Sequence, residues 1–177
     1  MATLYSKNKL MDSNYVDGDW FLICRHYSGD GDYFSSDNDW AEARQTNVNN
    51  PSANKYSNLY LLEKFRRYDK FTMMLKWPNV SSTNKNIWSQ TNNPVTDTNG
   101  AVDNYTAIDV DYTGSGWGGL ERYGSNGFLD GSTYGTGPHG NWWYSVATKS
   151  SYGGAGNFPG PAAVTNLVEL WVKFKNI

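Results

Sequence analysis

The strongest constraint on the fold is the alternation of side chains near the end of the sequence. Two rows of residues alternate there, one wholly apolar and one mixed: Val168, Leu170, Val172 and Phe174 against Leu167, Glu169, Trp171 and Lys173. A period of two is typical of a β-strand with one face in a core and the other partly exposed. Segment 70–77 repeats this pattern, and Pro78 ends it because proline cannot donate to a β-ladder.

Further short apolar segments extend this interpretation to most of the chain. Strands are predicted at 20–27, 86–91, 105–112, 117–123 and 142–148. The 18 Gly residues fall mostly after residue 113, and together with 16% aromatic residues they favour many short strands joined by tight turns. The sequence therefore predicts a mostly β fold, an antiparallel β-sandwich or jelly roll.

One short helix is predicted near residues 57–67. Leu59, Leu62 and Phe65 fall on one helical face, and Ser57 or Asn58 can cap its start. Arg66 and Arg67 would then complement the helix dipole in the last turn. With no composition break in 177 residues, we expect an N-terminal arm at 1–19 and one β-sandwich domain at 20–177.

Charge and composition exclude several classes of function. The net charge is −2 without a strong basic run, so nucleic-acid binding lacks its electrostatic footprint. No segment approaches the roughly 20 apolar residues of a membrane-spanning helix. Cys24 is the only cysteine, and the polar N-terminus lacks the apolar core of a signal peptide. These features predict an intracellular protein, cytoplasmic or cytoskeletal.

The residues that could support catalysis are few. Cys24 and His26 share a strand face and could form a nucleophile–base pair, but their apolar strand favours core filling. His139 lies in a Gly-rich turn, and the sequence contains only four Glu. Asp109 and Asp111 share a strand face that suits ligand contact as readily as acid–base chemistry. We therefore predict a protein that is not an enzyme.

An acidic loop offers oxygen ligands for calcium. The candidate ligands are Asp30, Asp32, Asp37 and Asp39, with Asn38 between the last two. Calcium takes six to eight oxygen ligands, but the spacing of an EF-hand is absent, and Asp and Asn are also common turn residues. We predict no cofactor, with calcium as the alternative.

The aromatic side chains are the main candidates for binding. The sequence has eight Trp, and a total this high predicts that at least two lie outside the core. Exposed aromatic rings suit interfaces and also stack on sugars. The predicted binding residues are Trp88, Trp117, Trp143, Phe158 and Trp171, together with His139, Asp109 and Asp111.

An ordered series of short motifs resembles a known family. The motifs are Asn-Ile-Trp-Ser-Gln-Thr-Asn-Asn-Pro at 86–94, Trp-Gly-Gly-Leu at 117–120, Leu-Asp-Gly-Ser at 129–132, Trp-Trp-Tyr at 142–144, Gly-Gly at 153–154, Phe-Pro-Gly-Pro at 158–161 and Val-Glu-Leu-Trp-Val at 168–172. The series is similar to a family of β domains of protists, algae and large DNA viruses, over roughly residues 57–174. The resemblance implies a β-sandwich recognition module with no established catalytic residues. A fainter similarity to fibrinogen-like domains is discounted because that family relies on paired cysteines.

Two functional hypotheses follow. The first is a non-catalytic structural protein that makes protein contacts or self-assembles, as in a cytoskeletal or axonemal array or a particle. The second is a lectin-like module that binds a glycan, because Trp, Tyr, Asn, Asp and Gly cluster in its loops.

Overall fold

Antiparallel β-strands dominate the structure, as the alternating patterns predict. The computed structural model describes residues 15–35, 40–98, 101–122, 127–133, 141–161 and 164–174. Twelve strands lie within these ranges: β1 Val16–Asp17, β2 Trp20–Tyr27, β3 Lys55–Ser57, β4 Phe71–Lys76, β5 Lys85–Gln90, β6 Thr106–Val110, β7 Trp117–Glu121, β8 Gly127–Thr133, β9 Asn141–Thr148, β10 Phe158–Pro159, β11 Val164–Thr165 and β12 Leu167–Lys173.

The strands form a large sheet, a small sheet and a two-stranded ribbon. The large sheet has seven strands in the order β1-β2-β12-β4-β5-β6, with β3 also paired to β2. The small sheet has the order β7-β8-β9, and β10 pairs with β11. Strand β12, which has the clearest alternation in the sequence, lies between β2 and β4.

The larger of two hydrophobic clusters contains residues of both sheets, which confirms the predicted β-sandwich. Trp88 of the large sheet packs edge-on against Trp117 of the small sheet, with ring centroids 4.9 Å apart. Trp117 also contacts Tyr144 at 4.7 Å. Tyr15, from the segment predicted as an arm, belongs to the same core and stacks on Phe21. One sheet has seven strands and the other three, so the two layers of the sandwich differ in width.

The predicted helix is present but is shorter and tighter than expected. A 3₁₀-helix spans Leu59–Phe65, and Leu59, Leu62 and Phe65 are buried as predicted. Arg66 is already extended (φ −61°, ψ 130°), so it follows the helix and does not lie in its last turn. A second 3₁₀-helix spans Gly114–Gly116, and a short helix that the sequence did not predict, α1, spans Trp40–Arg44. Among the described residues, no helix has the length and apolar character needed to cross a bilayer.

The buried Gln90 side chain connects β5 to β7 and to the loop that follows β5 through hydrogen bonds. Its Oε1 atom accepts hydrogen bonds from Trp88 Nε1 (2.7 Å) and the Leu120 backbone N–H (3.1 Å). Its Nε2 atom donates to the Leu120 carbonyl and to Asn92. Asn92 then donates to the carbonyl of Ala101. The motif at 86–94 therefore holds both sheets and a long loop together through side-chain hydrogen bonds.

Candidate contact surface

Four of the predicted aromatic binding residues are buried, and their role at a contact surface stays a prediction. Trp88 and Phe158 are fully buried, Trp117 is 5% exposed and Trp171 is 8% exposed. These rings are buried because they fill space between the packed sheets that smaller side chains would leave empty. Seven Trp side chains are described, and none of them is among the exposed large hydrophobic side chains: Trp20, Trp40, Trp77, Trp88, Trp117, Trp143 and Trp171.

Trp171 lies on the outer face of the large sheet, but its ring already has intramolecular partners. Its Nε1 atom donates to Glu169 Oε2 at 3.1 Å, and the Lys76 ammonium lies 4.8 Å from the ring centroid. Lys76 also pairs with Asp17 at 3.1 Å. A ring covered in this way does not provide the open flat floor on which a sugar stacks.

The remaining predicted binding residues have different positions. Trp143 is partly buried and meets the Tyr152 ring edge-on at 5.8 Å. Asp109 and Asp111 are exposed beside Lys85, which pairs with Asp109 at 3.1 Å and donates its backbone N–H to Asp111. His139 lies outside the described residues.

The calcium candidates that the structure describes already have protein partners. Asp32 is paired with the Lys55 ammonium at 2.9 Å, and Asp30 accepts a hydrogen bond from Asn54 at 3.2 Å. Asp37 and Asp39 lie outside the described residues. Within the described ranges, no group of three or more His, Cys, Asp or Glu could hold a metal ion. Calcium binding stays a prediction.

Cys24 and His26 are both buried in β2. Burial raises the pKa of the Cys24 thiol to about 12, against a smaller opposing effect of Ser57. His26 Nε2 lies 2.9 Å from the Asp32 carbonyl, and its Nδ1 accepts the Thr148 backbone N–H at 3.3 Å. Its ring stacks on Phe158 with centroids 5.3 Å apart. Both side chains therefore occupy core positions, which agrees with the core-filling interpretation.

A buried pair of carboxyl groups was missed by the sequence analysis. Glu121 on β7 lies directly opposite Asp130 on β8, and both side chains are fully buried. Ser145 Oγ donates to Asp130 at 2.8 Å. Paired carboxyl groups can serve acid–base chemistry or bind cations. The sequence alone offered no signal for the pair, because the β7–β8 register brings together two acids that lie nine positions apart.

Among the aromatic side chains that the structure describes, Tyr68 is the most exposed, and the sequence analysis did not predict it as a binding residue. Its side chain is 99% exposed at the apex of a two-residue turn closed by hydrogen bonds between Arg67 and Lys70. Tyr68 and Asp69 both have positive φ, 48° and 61°. Residues other than Gly rarely adopt this conformation, which is typical of type I′ hairpin turns of sequence Asn-Gly.

Cationic residues flank Tyr68 in the sequence. We define the tip cluster as Lys64, Arg67, Tyr68, Asp69 and Lys70, all of which are exposed. Residues 63–70 carry four cationic and two anionic side chains, a net charge of +2 on a chain whose total is −2. The tip cluster is therefore a basic and aromatic projection on an otherwise acidic protein.

Arg66 fixes the base of the tip cluster. It pairs with Glu63, and its Nη1 atom donates to the carbonyls of Thr91 (2.6 Å) and Asp69 (3.2 Å). Its guanidinium lies 4.2 Å from the centroid of the Phe71 ring. The hydrogen bonds from Arg66, followed by that from Asn93, lower the pKa of Glu63, so this ion pair is maintained at neutral pH. These contacts hold the turn at the start of β4.

A shallow depression lies elsewhere on the surface. Amide side chains line most of it: Gln45, Asn47, Asn49 and Asn50, together with Val48. Amides both donate and accept hydrogen bonds, which suits polyhydroxy ligands, although no aromatic ring lines this depression.

No family model, curated protein or solved structure matches the chain. The resemblance to β domains of protists, algae and large DNA viruses therefore stays a prediction.

Proposed function

We propose that the protein is a non-catalytic β-sandwich module that makes protein–protein contacts in an intracellular assembly, through the tip cluster. The observation that carries this proposal is Tyr68, a fully exposed ring held in a left-handed conformation. Such backbone conformations cost free energy and concentrate at functional positions. A rigid Tyr beside Arg67 matches the residue types that dominate binding energy at protein interfaces.

The arrangement of the remaining chemistry supports a function by contact. Cys24 and His26, the only nucleophile–base candidate in the sequence analysis, are buried among apolar side chains. A free Cys in such surroundings behaves as a small hydrophobic residue, and a raised thiol pKa makes it a poor nucleophile. The exposed groups that remain as candidates are charged and aromatic side chains, which bind a partner without covalent chemistry.

A photo-crosslinking residue placed at Tyr68 tests this proposal in cells that express the protein. We expect a defined protein partner to be captured at position 68 and not at Asn84, an exposed residue in the loop before β5. Neutralising the tip cluster with Lys64→Gln, Arg67→Gln and Lys70→Gln should remove the captured product. Equal capture at both positions, or capture unaffected by neutralisation, would exclude the tip cluster as the contact surface.

The amide-lined depression supports a lectin-like module as the second candidate. A glycan array probed with and without calcium tests it directly. Binding that is lost on Asn49→Ala and Asn50→Ala but kept in the neutralised tip variant would favour this alternative. An array without signal under both conditions would remove it.

A further inference from the structure

Strand β6 forms an exposed acidic edge of the large sheet. Four of its five residues are exposed, and Ile108 is 57% exposed. Asp103, Asp109 and Asp111 lie in or next to this strand, and segment 101–112 contains no cationic residue. Lys85 pairs with Asp109 from the neighbouring strand. We define the acidic edge as Asp103, Ile108, Asp109 and Asp111.

The acidic edge and the tip cluster are complementary in charge and in chemistry. The edge carries three carboxylates against the single ammonium of Lys85, a net charge of −2, and segment 63–70 has a net charge of +2. Each surface also exposes an apolar group, Ile108 on the edge and the Tyr68 ring on the tip. Opposite charges that surround an apolar contact fix orientation and exclude partners of the wrong sign.

The spacing of the cationic groups on the tip cluster is similar to the spacing of the carboxylates on the acidic edge. Arg67 and Lys70 lie opposite each other across the turn, which places their Cα atoms roughly 5 Å apart. Asp109 and Asp111 are two residues apart in extended chain, or roughly 7 Å between Cα atoms. The long side chains of Arg67 and Lys70 can make up the difference between these two Cα spacings. Both cations can therefore pair with Asp109 and Asp111 of the next copy at the same time.

We propose that copies of this chain associate head to tail, with the tip cluster of one copy seated on the acidic edge of the next. This inference rests on the proposed function and names the partner as a second copy of the chain. Because the two surfaces differ, the contact is heterologous, and its repetition generates a ring or a filament. Such growth is what an assembly component requires.

The contact involves side chains and does not add a strand to the sheet. The β5–β6 register shifts between Ile87 and Trp88, so β6 is irregular opposite this point. Irregular, acidic edge strands resist pairing with another strand. The same surface therefore disfavours sheet extension. Its three carboxylates are exposed, and although Asp109 and Asp111 already contact Lys85, each can accept a further cation from a neighbouring molecule.

Sedimentation velocity of the full chain at low salt, at concentrations up to about 1 mM, tests this proposal. The contact is small, so we expect weak association that increases with concentration beyond the dimer and falls in high salt. The tip-neutral variant is Lys64→Gln, Arg67→Gln and Lys70→Gln, and the edge-neutral variant is Asp103→Asn, Asp109→Asn and Asp111→Asn. A control variant, Asp19→Asn with Asp30→Asn, removes two exposed charges elsewhere.

Each neutral variant alone should associate at least about tenfold more weakly than the wild type and the control. An equimolar mixture of the two variants retains one intact tip and one intact edge, so it should form a 1:1 dimer that does not grow. This dimer is specific to a heterologous contact. Circular dichroism of each variant checks that the fold is retained.

Three outcomes would overturn the inference. They are a wild type that is monomeric throughout, association that both neutral variants retain, and a mixture that stays monomeric. If the wild type is monomeric while position 68 still crosslinks to another protein, the partner is a different acidic protein and the proposed function stands. If position 68 captures nothing while the chain associates through another surface, the proposed function itself fails.

Discussion

Burial strongly affects the protonation of the His26 side chain. Its Nδ1 atom accepts the Thr148 N–H while Nε2 faces the Asp32 carbonyl, so the two ring nitrogens have opposite roles in the neutral form. A proton added at Nδ1 would oppose the Thr148 N–H. Burial, the largest effect, lowers the pKa of His26 from 6.5 to about 4 against smaller opposing effects of Asp32. The residue therefore links the acidic loop to β9 only while it is neutral.

The His26 pKa predicts loss of stability in mild acid. The unfolded state takes up the proton near pH 6.5 and the folded state only near pH 4, so the free energy of unfolding falls as the pH is lowered between these values. The difference corresponds to about 3 kcal/mol, all of it present above pH 6.5. Urea unfolding at several pH values measures this change in the free energy of unfolding. The His26→Gln variant, which lacks the titrating imidazole, should not show it. Parallel pH profiles for the two proteins would contradict this prediction.

Gln90 makes the largest set of buried side-chain hydrogen bonds described for a single residue of β5. Gln90→Met keeps the volume but leaves the Trp88 N–H and both backbone groups of Leu120 without this partner. Each buried group that loses its partner costs about 1–3 kcal/mol, so we expect the free energy of unfolding to fall by about 3 kcal/mol or more. Thr91→Val removes two exposed hydrogen bonds of the Thr91 hydroxyl, one to the Asp103 carbonyl and one from Asn104. Because water can replace both partners, it should change the free energy of unfolding by about 1 kcal/mol or less.

Among the elements, the turn at 67–70 has a backbone that its own residues disfavour. Tyr68 and Asp69 occupy positions where Asn and Gly are strongly preferred, and Arg66 holds the base of the turn through contacts with Thr91, Asp69 and Glu63. A turn selected for stability alone would not place a fully exposed Tyr at this position. The choice of these residues is one of the observations on which the proposed contact role of the Tyr68 ring rests.

Replacing the turn residues should separate stability from contact. We expect Tyr68→Asn with Asp69→Gly to raise the free energy of unfolding by about 1 kcal/mol, because the new residues adopt positive φ with less strain. The same variant should weaken self-association in sedimentation, since the Tyr ring is gone. A destabilised variant, or a stabilised one with unchanged association, would argue against a functional role for the turn.

At the scale of the whole molecule, the two sheets share one core. The contact between Trp88 and Trp117 crosses from the large sheet to the small one, and Tyr144 of the small sheet packs on Trp117. Neither sheet therefore buries its apolar face without the other. A shared core couples the layers energetically, and small domains of this kind unfold in a single cooperative transition.

This coupling predicts coincident unfolding of both layers. Far-UV circular dichroism and tryptophan fluorescence should give the same urea midpoint, and Trp117→Leu should lower both midpoints equally, with a loss of about 2–4 kcal/mol. Trp20→Leu, at a partly buried position of β2, is the milder control. Two separate transitions would show that the small sheet unfolds independently.

The sequence by itself determined the strands with strong periodicity. The alternation in β4 and β12 predicted that Met73, Leu75, Val168, Leu170 and Val172 enter the core, because a strand exposes successive residues to opposite faces. Met74 and Trp171, which belong to the opposite rows, are buried in the core as well. The apolar run of β2 and the helical face of Leu59, Leu62 and Phe65 were likewise readable from local spacing. Strand β8 was not predicted, because its Gly and Asp residues have low β-propensity.

Only the tertiary structure decided which side chains remain at the surface. Trp88 and Trp171 fall in well-predicted strands, yet their exposure depends on what packs over them from distant segments. The pairing of Glu121 with Asp130 and the exposure of Tyr68 likewise follow from strand register and from the two-residue turn. Local sequence fixes the direction of a side chain relative to its own strand, whereas burial is set by neighbours that the chain brings together only on folding.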